Sequence, residues 1–158
     1  MTGEAAFVST EVATIWHYLR QTIERMSDIA ADVTNQELHW NPPAPETNSI
    51  AVLLVHTMAN IEENVLAVVA GEPMNRDRDA EFVENDLAGS DLVERMAMLT
   101  GRLESFLVGL DADRLDVVLN HPRRGELSAR SILLQATTHG REHLGHAELT
   151  RDLARAAM

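Results

Sequence analysis

Three histidines with helical spacing are the residues of this sequence best suited to chemistry. His139, His143 and His146 lie in the segment HGREHLGH, and on an α-helix they fall within about 60° of arc. Ile132 and Ala136 continue the same face, so this face should be buried. Buried imidazole nitrogens need partners, and histidines at i and i+4 can bind one metal ion. An all-histidine ligand set favours Zn, Ni, Fe or Cu over Mg or Ca.

A neighbouring helix must complete such a site, and His56 is the best candidate to do so. It lies in the apolar run LLVHT, where a surface histidine would be unexpected. Asn60 and Glu63 follow on the same helical face, where they could orient the ring or complete the site. The alternative interpretation of His56 is a core histidine that is hydrogen-bonded to a carbonyl.

Two known metal motifs are excluded. The string HGREH matches the H-x-x-E-H pattern of inverted zinc peptidases, but those enzymes need a further ligand downstream and a larger α+β scaffold. Ferritin-like di-iron bundles need Glu-x-x-His pairs, and no histidine here has a glutamate three residues before it. The remaining histidines are interpreted as surface or structural residues: His17, His39 and His121.

The elements that position these residues are helical. Apolar residues recur every three or four positions, and a capping box at Thr34–Glu37 predicts a further short turn of helix. Between the helices, the connections at 71–90 and 111–127 are long enough for crossovers. The sequence therefore predicts an all-α four-helix bundle with long crossover connections. Strand is locally plausible only at Leu115–Leu119. The first predicted helix covers about residues 5–31, and the second runs from a cap at 48 or 49 to residue 70. The third runs from a cap at 90 or 91 to residue 110, and the fourth runs from a cap at 128 to the C-terminus.

Composition narrows the function classes. The 158 residues are expected to form one domain, 1–158, and the net charge of −12 argues against nucleic acid and anionic membranes as partners. The sequence has no Cys, and all 13 basic residues are Arg. Thiolate nucleophiles, disulfides and lysine Schiff-base chemistry are thereby excluded. We find neither a signal peptide nor an 18-residue apolar run, so a cytoplasmic location is expected.

A charged loop follows the second helix. Arg76 and Arg78 in this loop could bind an anionic substrate or the carboxylate of a thiol cofactor. The alternative is a solvated loop whose charges form salt bridges with one another.

The sequence resembles the DinB-like superfamily of four-helix-bundle metalloenzymes over nearly its whole length. Four segments carry the resemblance. They are LHWNP at 38–42, NSIAVLLVH at 48–56, Gly71 followed by RDR at 76–78 and EF at 81–82, and HxxxHLGH at 139–146. By position, His56, His139 and His143 correspond to the metal ligands of that family. His146 lies where members often have Gln.

The resemblance implies a divalent-metal-dependent enzyme, with Zn, Ni or Fe as the ion and a small molecule as the substrate. Characterised members include thiol-dependent S-transferases and a maleylpyruvate isomerase, which use bacillithiol, mycothiol or glutathione. Because the sequence has no Cys, such a thiol must be a small molecule. The alternatives are hydrolysis by a metal-activated water, with Glu63 or His146 as base, and a non-catalytic metal-binding dimer. Relatives often pair through helix faces, so a homodimer is expected.

His146 is expected to lie outside the ligand set. Its Cα should be about 10.5 Å along the helix axis from that of His139, and three successive turns cannot easily all reach one small ion. We expect His146 to form a hydrogen bond across the bundle or to line the pocket.

Overall fold

The computed structural model describes residues 6–83 and 85–158, and four long helices form its main body. The prediction of an all-α four-helix bundle is confirmed. A short helix, α2 (Asn35–Leu38), follows the first long helix. The long helices are α1 (Thr10–Asp32), α3 (Ile50–Glu62), α4 (Gly89–Leu107) and α5 (Ala129–Ala157).

Serine side chains cap the starts of three of these helices. Ser9, Ser49 and Ser128 each accept a hydrogen bond from a backbone N–H three residues on, at 3.2–3.3 Å. This confirms the predicted starts of α3 and α5. The predicted start of the first helix is wrong, because residues 6–8 lie before the Ser9 cap and are not helical. Residue 5 lies outside the described residues. The third long helix, α4, begins at Gly89 after a cap at Ala88, not at residue 90 or 91, and it ends at Leu107 rather than at residue 110.

Packing places α3 and α5 side by side. α1 contacts α4 and α5, and α3 contacts α5 and α4, so the four helices enclose one core. The segment Ile50–Val69 is apolar and long enough to cross a membrane, but 72% of its most apolar window is buried inside the bundle. A core helix of a soluble protein has the same property. Each long helix contributes fully buried side chains, such as Leu19, Leu54, Leu103 and Ile132.

The end of the second long helix is not α-helical. After Glu62 the chain continues as a π-helix over Glu63–Val69, a conformation that is rare and often found at functional sites. The side-chain nitrogen Nδ2 of Asn64 donates to the backbone carbonyl of Asn60 at 2.7 Å. The wider helical turn begins at Glu63, whose side chain is buried.

The structure contains a β-hairpin, and its strands do not coincide with the predicted strand at Leu115–Leu119. β1 (Val118–His121) pairs antiparallel with β2 (Gly125–Ser128), whereas Leu115 lies in a 3-10 turn before them. Gly125 has φ +73°, a conformation that glycine adopts without strain and that lets the chain reverse. Both strands have four residues, too few for a strong alternating pattern in the sequence.

Gly89, the first residue of α4, gives a test of the packing of α4 on α1. A Cβ at Gly89 would overlap the backbone carbonyl of Ala30 in α1, whereas a Cβ at Gly101 in the same helix would meet open space. Gly89→Ala should therefore lower the free energy of unfolding by about 1–3 kcal/mol. Gly101→Ala should raise it by about 0.5–1 kcal/mol. Urea denaturation of both variants measures this; equal stabilities would contradict the close approach of the two helices.

Candidate metal centre

The bundle brings three of the predicted histidines together. His56 comes from α3, and His139 and His143 come from adjacent turns of α5. Nε2 of His56 lies 3.1 Å from Nε2 of His139, and one nitrogen from each of the three rings lies within 4.8 Å of the others. His56 is buried, and the two α5 histidines are half-buried. The three side chains form a group that could hold a metal ion.

The donor set fits a divalent ion of the zinc type. Two nitrogens bound tetrahedrally at about 2.0–2.1 Å are separated by about 3.3 Å, close to the 3.1 Å between His56 and His139. The ring centroids of His139 and His143 lie 4.3 Å apart, as expected of side chains one helical turn apart. Small side-chain movements would therefore bring the three nitrogens around one ion.

Glu81 orients His56, and sequence reasoning did not identify it. Nδ1 of His56 lies 2.8 Å from Oε2 of Glu81, and both side chains are buried. Because an ionised carboxylate only accepts hydrogen bonds, Nδ1 of His56 carries the proton and Nε2 presents its lone pair. A carboxylate behind a metal-ligating histidine is a recurring arrangement that fixes the ring and increases its basicity. The Phe82 ring, 4.6 Å from that of His56, packs beside it.

Arg76 holds Glu81 in place. Its guanidinium donates to both carboxylate oxygens of Glu81, at 2.5 and 2.7 Å, and to Glu63 at 2.9 Å. Arg123, from the hairpin turn, also pairs with Glu63. Two glutamates and two arginines thus balance their charges beside His56. Buried charges are tolerated when they are paired in this way.

The alternative of a solvated, salt-bridged loop is wrong for Arg76, whose side chain is only 3% exposed. The expectation that Arg76 binds a substrate anion is not supported either, because its donors are engaged by Glu81 and Glu63. Arg78 differs, since it is exposed and packs over the Phe82 ring at 5.0 Å.

The environment keeps the histidines neutral. Burial lowers the pKa of His139 to about 4, and the nearby His143, His56, Arg124 and Arg76 add to this effect. Burial likewise lowers the pKa of His143 to about 4. The pKa of His56 is lowered by burial, although Glu81 opposes the shift. Neutral imidazoles are the form that binds metal, so the site is prepared for ligation at neutral pH.

The other predicted site residues have different surroundings. Asn60 is buried and bonds to Asn64 rather than to His56 in the described contacts. Among the described contacts, Glu63 is linked to His56 through Arg76 and Glu81. His146 is exposed, lies outside the three-histidine group, and has Nδ1 3.4 Å from Nδ1 of His143. This contact runs along α5, not across the bundle.

His121, interpreted from the sequence as a surface or structural residue, is not at the surface. It is 3% exposed, and its Nδ1 accepts a hydrogen bond from the backbone N–H of Arg123. That bond helps to shape the hairpin turn that carries Arg123 and Arg124.

Fold and site together define a helical bundle with a three-histidine centre between two of its helices. A model of the DinB superfamily matches residues 18–147, and the chain belongs to this superfamily. The chain is also similar to a conserved protein from Enterococcus faecalis of known crystal structure, with a TM-score of 0.74 and 18% identity. The match covers 91% of this chain and 96% of the other, and it shows a shared fold. No functionally curated protein matches the sequence.

Glu81→Gln tests the role of Glu81 in positioning His56. The amide keeps the size of the side chain but removes the charge that fixes the His56 tautomer. We expect metal affinity to fall by roughly 10–100-fold, measured by competition with a chelator, while the helical circular dichroism spectrum is retained. Glu126→Gln, an exposed change in β2, is the matched control and should leave the affinity unchanged. Wild-type affinity in a folded Glu81→Gln protein would show that Glu81 does not support the site.

The histidine pKa values predict how the stability of metal-free protein depends on pH. The unfolded chain takes up protons near pH 6.5, whereas folded His139 and His143 do so only near pH 4. The free energy of unfolding should therefore fall as the pH is lowered from about 6.5 towards 4. Urea denaturation at several pH values should show a shallower fall for the His139→Gln/His143→Gln variant. His17→Gln, at an exposed position, should retain the wild-type slope; an unchanged slope in the double variant would contradict the assignment.

Proposed function

We propose that the protein is a divalent-metal-dependent enzyme that transfers a small-molecule thiol to an electrophilic substrate. The observation that carries the proposal is the convergence of His56, His139 and His143, with Glu81 behind His56. Three protein ligands are typical of catalytic metal sites, because a coordination position stays open for a small molecule. Zn, Ni or Fe suits a ligand set of three imidazoles.

A bound divalent ion would lower the pKa of a thiol or water that it coordinates. The thiol sulfur would attack the electrophilic carbon, a C–S bond would form, and the leaving group would depart with its electron pair. His146, which is exposed and has Nδ1 3.4 Å from Nδ1 of His143, would accept the thiol proton. The chain has no Cys, so the nucleophilic sulfur must come from the small molecule.

Hydrolysis is the second candidate reaction, and the described contacts reduce the choice of its base. Glu63, one of its two candidate bases, is engaged by Arg76 and Arg123. A carboxylate between two guanidinium groups is a poor proton acceptor. His146 is then the base for either reaction, and a requirement for thiol separates the two.

We further propose that the protein works in the cytoplasm as a homodimer on small molecules rather than on nucleic acid or membranes. The net charge of −12 supports the choice of partners, since phosphate backbones and anionic lipids would be repelled. A non-catalytic dimeric bundle would share the metal site but lack turnover.

The test compares two histidine variants on α5. Chelated protein is reloaded with Zn, Ni or Fe, bound metal is measured by mass spectrometry, and consumption of an electrophilic bimane is followed with and without thiols. His143→Ala should lose the metal and at least about 100-fold in thiol transfer while remaining helical. His146→Gln should keep the metal but transfer thiol more slowly, as expected for loss of the proton acceptor.

Failure of wild-type protein to bind metal would contradict the proposal. Thiol-independent cleavage of ester substrates by metal-loaded protein would favour hydrolysis instead. Metal binding without turnover in either assay would favour the non-catalytic bundle.

A further inference from the structure

Two arginines lie beside the three-histidine group and are not used by its supporting network. Arg78 precedes the 3-10 turn Ala80–Phe82, and Arg124 lies in the hairpin turn. Both are exposed, and neither has a carboxylate partner within residues 6–83 and 85–158. Arg76 and Arg123, their counterparts on the same two loops, are both paired with glutamates.

Contacts fix both side chains on the exposed side of the site. Arg78 lies over Phe82, 5.0 Å from the ring centroid, and Phe82 in turn lies 4.6 Å from the ring of His56. Arg124 donates to the side chain of Gln135 on α5. Gln135 is four residues before His139, about 6 Å along the helix axis. The two guanidinium groups therefore approach the histidines from the α3 side and from the α5 side.

Electrostatics indicates the same proximity. The positive charge of Arg78 contributes to the lowered pKa of His56, and that of Arg124 to the lowered pKa of His139. Two unpaired guanidinium groups at one site produce a local positive potential that attracts anions.

We propose that Arg78 and Arg124 bind a carboxylate group of the small molecule that reacts at the three-histidine site. Guanidinium groups suit this ligand because their planar donors match the two oxygens of a carboxylate. Phe82, which is 37% exposed, supplies an apolar wall for the carbon skeleton. The ligand is thus an anionic thiol or an anionic electrophile, and this inference rests on the proposed function.

The first experiment compares two small thiols by isothermal titration calorimetry on zinc-loaded protein. Mercaptosuccinate carries two carboxylates, and thioglycerol carries none. We expect mercaptosuccinate to bind at least about tenfold more tightly, because a hydrogen bond to a charged group typically contributes a factor of this size. The preference should decrease as the salt concentration rises.

Substitutions of the two arginines test whether they cause the preference for mercaptosuccinate. Arg78→Gln and Arg124→Gln should each keep the metal and the melting temperature but lose most of the preference for mercaptosuccinate. Arg114→Gln is the matched control, since Arg114 is exposed and lies in the 3-10 turn Ala112–Asp116; it should behave as wild type. A preference for mercaptosuccinate that survives both substitutions would overturn the proposal. Equal affinity of the wild type for the two thiols would overturn it if succinate also fails to bind.

Succinate tells apart the two sources of the carboxylate. If it binds together with thioglycerol, the anionic group belongs to the electrophile; if it displaces mercaptosuccinate and cannot bind beside thioglycerol, the group belongs to the thiol. The succinate titration is also made with metal-free protein. Binding there that depends on Arg78 and Arg124 would support the anion site even if the proposed metal chemistry failed, whereas metal loading without anion preference would overturn the anion site alone.

Discussion

The geometry of the candidate site depends on one buried guanidinium group. Arg76 is 3% exposed and lies between the carboxylates of Glu81 and Glu63. Without it, two buried carboxylates would face each other with too little positive charge to compensate them, at a cost of several kcal/mol. Arg76 holds Glu81 against Nδ1 of His56, and it shares Glu63 with Arg123. One residue from an irregular connection thereby ties α3, that connection and the hairpin turn into one rigid support.

The helical part of this site could be predicted from the sequence. Two histidines four residues apart on an apolar stripe must lie side by side on α5, because the helix geometry is fixed. His56 could be predicted as their partner because its surroundings in the sequence are apolar. The bundle itself follows from the stripes of apolar residues and from the serine caps, which mark the starts of α3 and α5.

The supporting residues could not be predicted in the same way. Glu81, Arg76 and Arg123 lie in connections with no periodicity, where a charged residue is most often solvated. The burial of Glu81 and Arg76, and the pairing of Arg123 with Glu63, result from the tertiary path of loops that the local sequence does not determine. A weak signal was present in the proximity of RDR to EF after the second helix, but it did not specify which arginine would be buried. The short hairpin was missed for the same reason, since four-residue strands have little pattern.

The two sides of the three-histidine group differ in charge balance, and this difference assigns their roles. On the side of Glu81, the buried Glu81 and Glu63 neutralise Arg76 and the exposed Arg123, so this side fixes the His56 ring and leaves little net charge to attract a ligand. On the exposed side, Arg78, Arg124 and His146 are free of carboxylate partners among the described residues. His139 and His143 are half-buried rather than buried, and we expect a small anion to approach them from this side. Each of the two loops therefore has two arginines with different roles. Arg76 and Arg123 stabilise the site, and Arg78 and Arg124 are left to bind the incoming molecule.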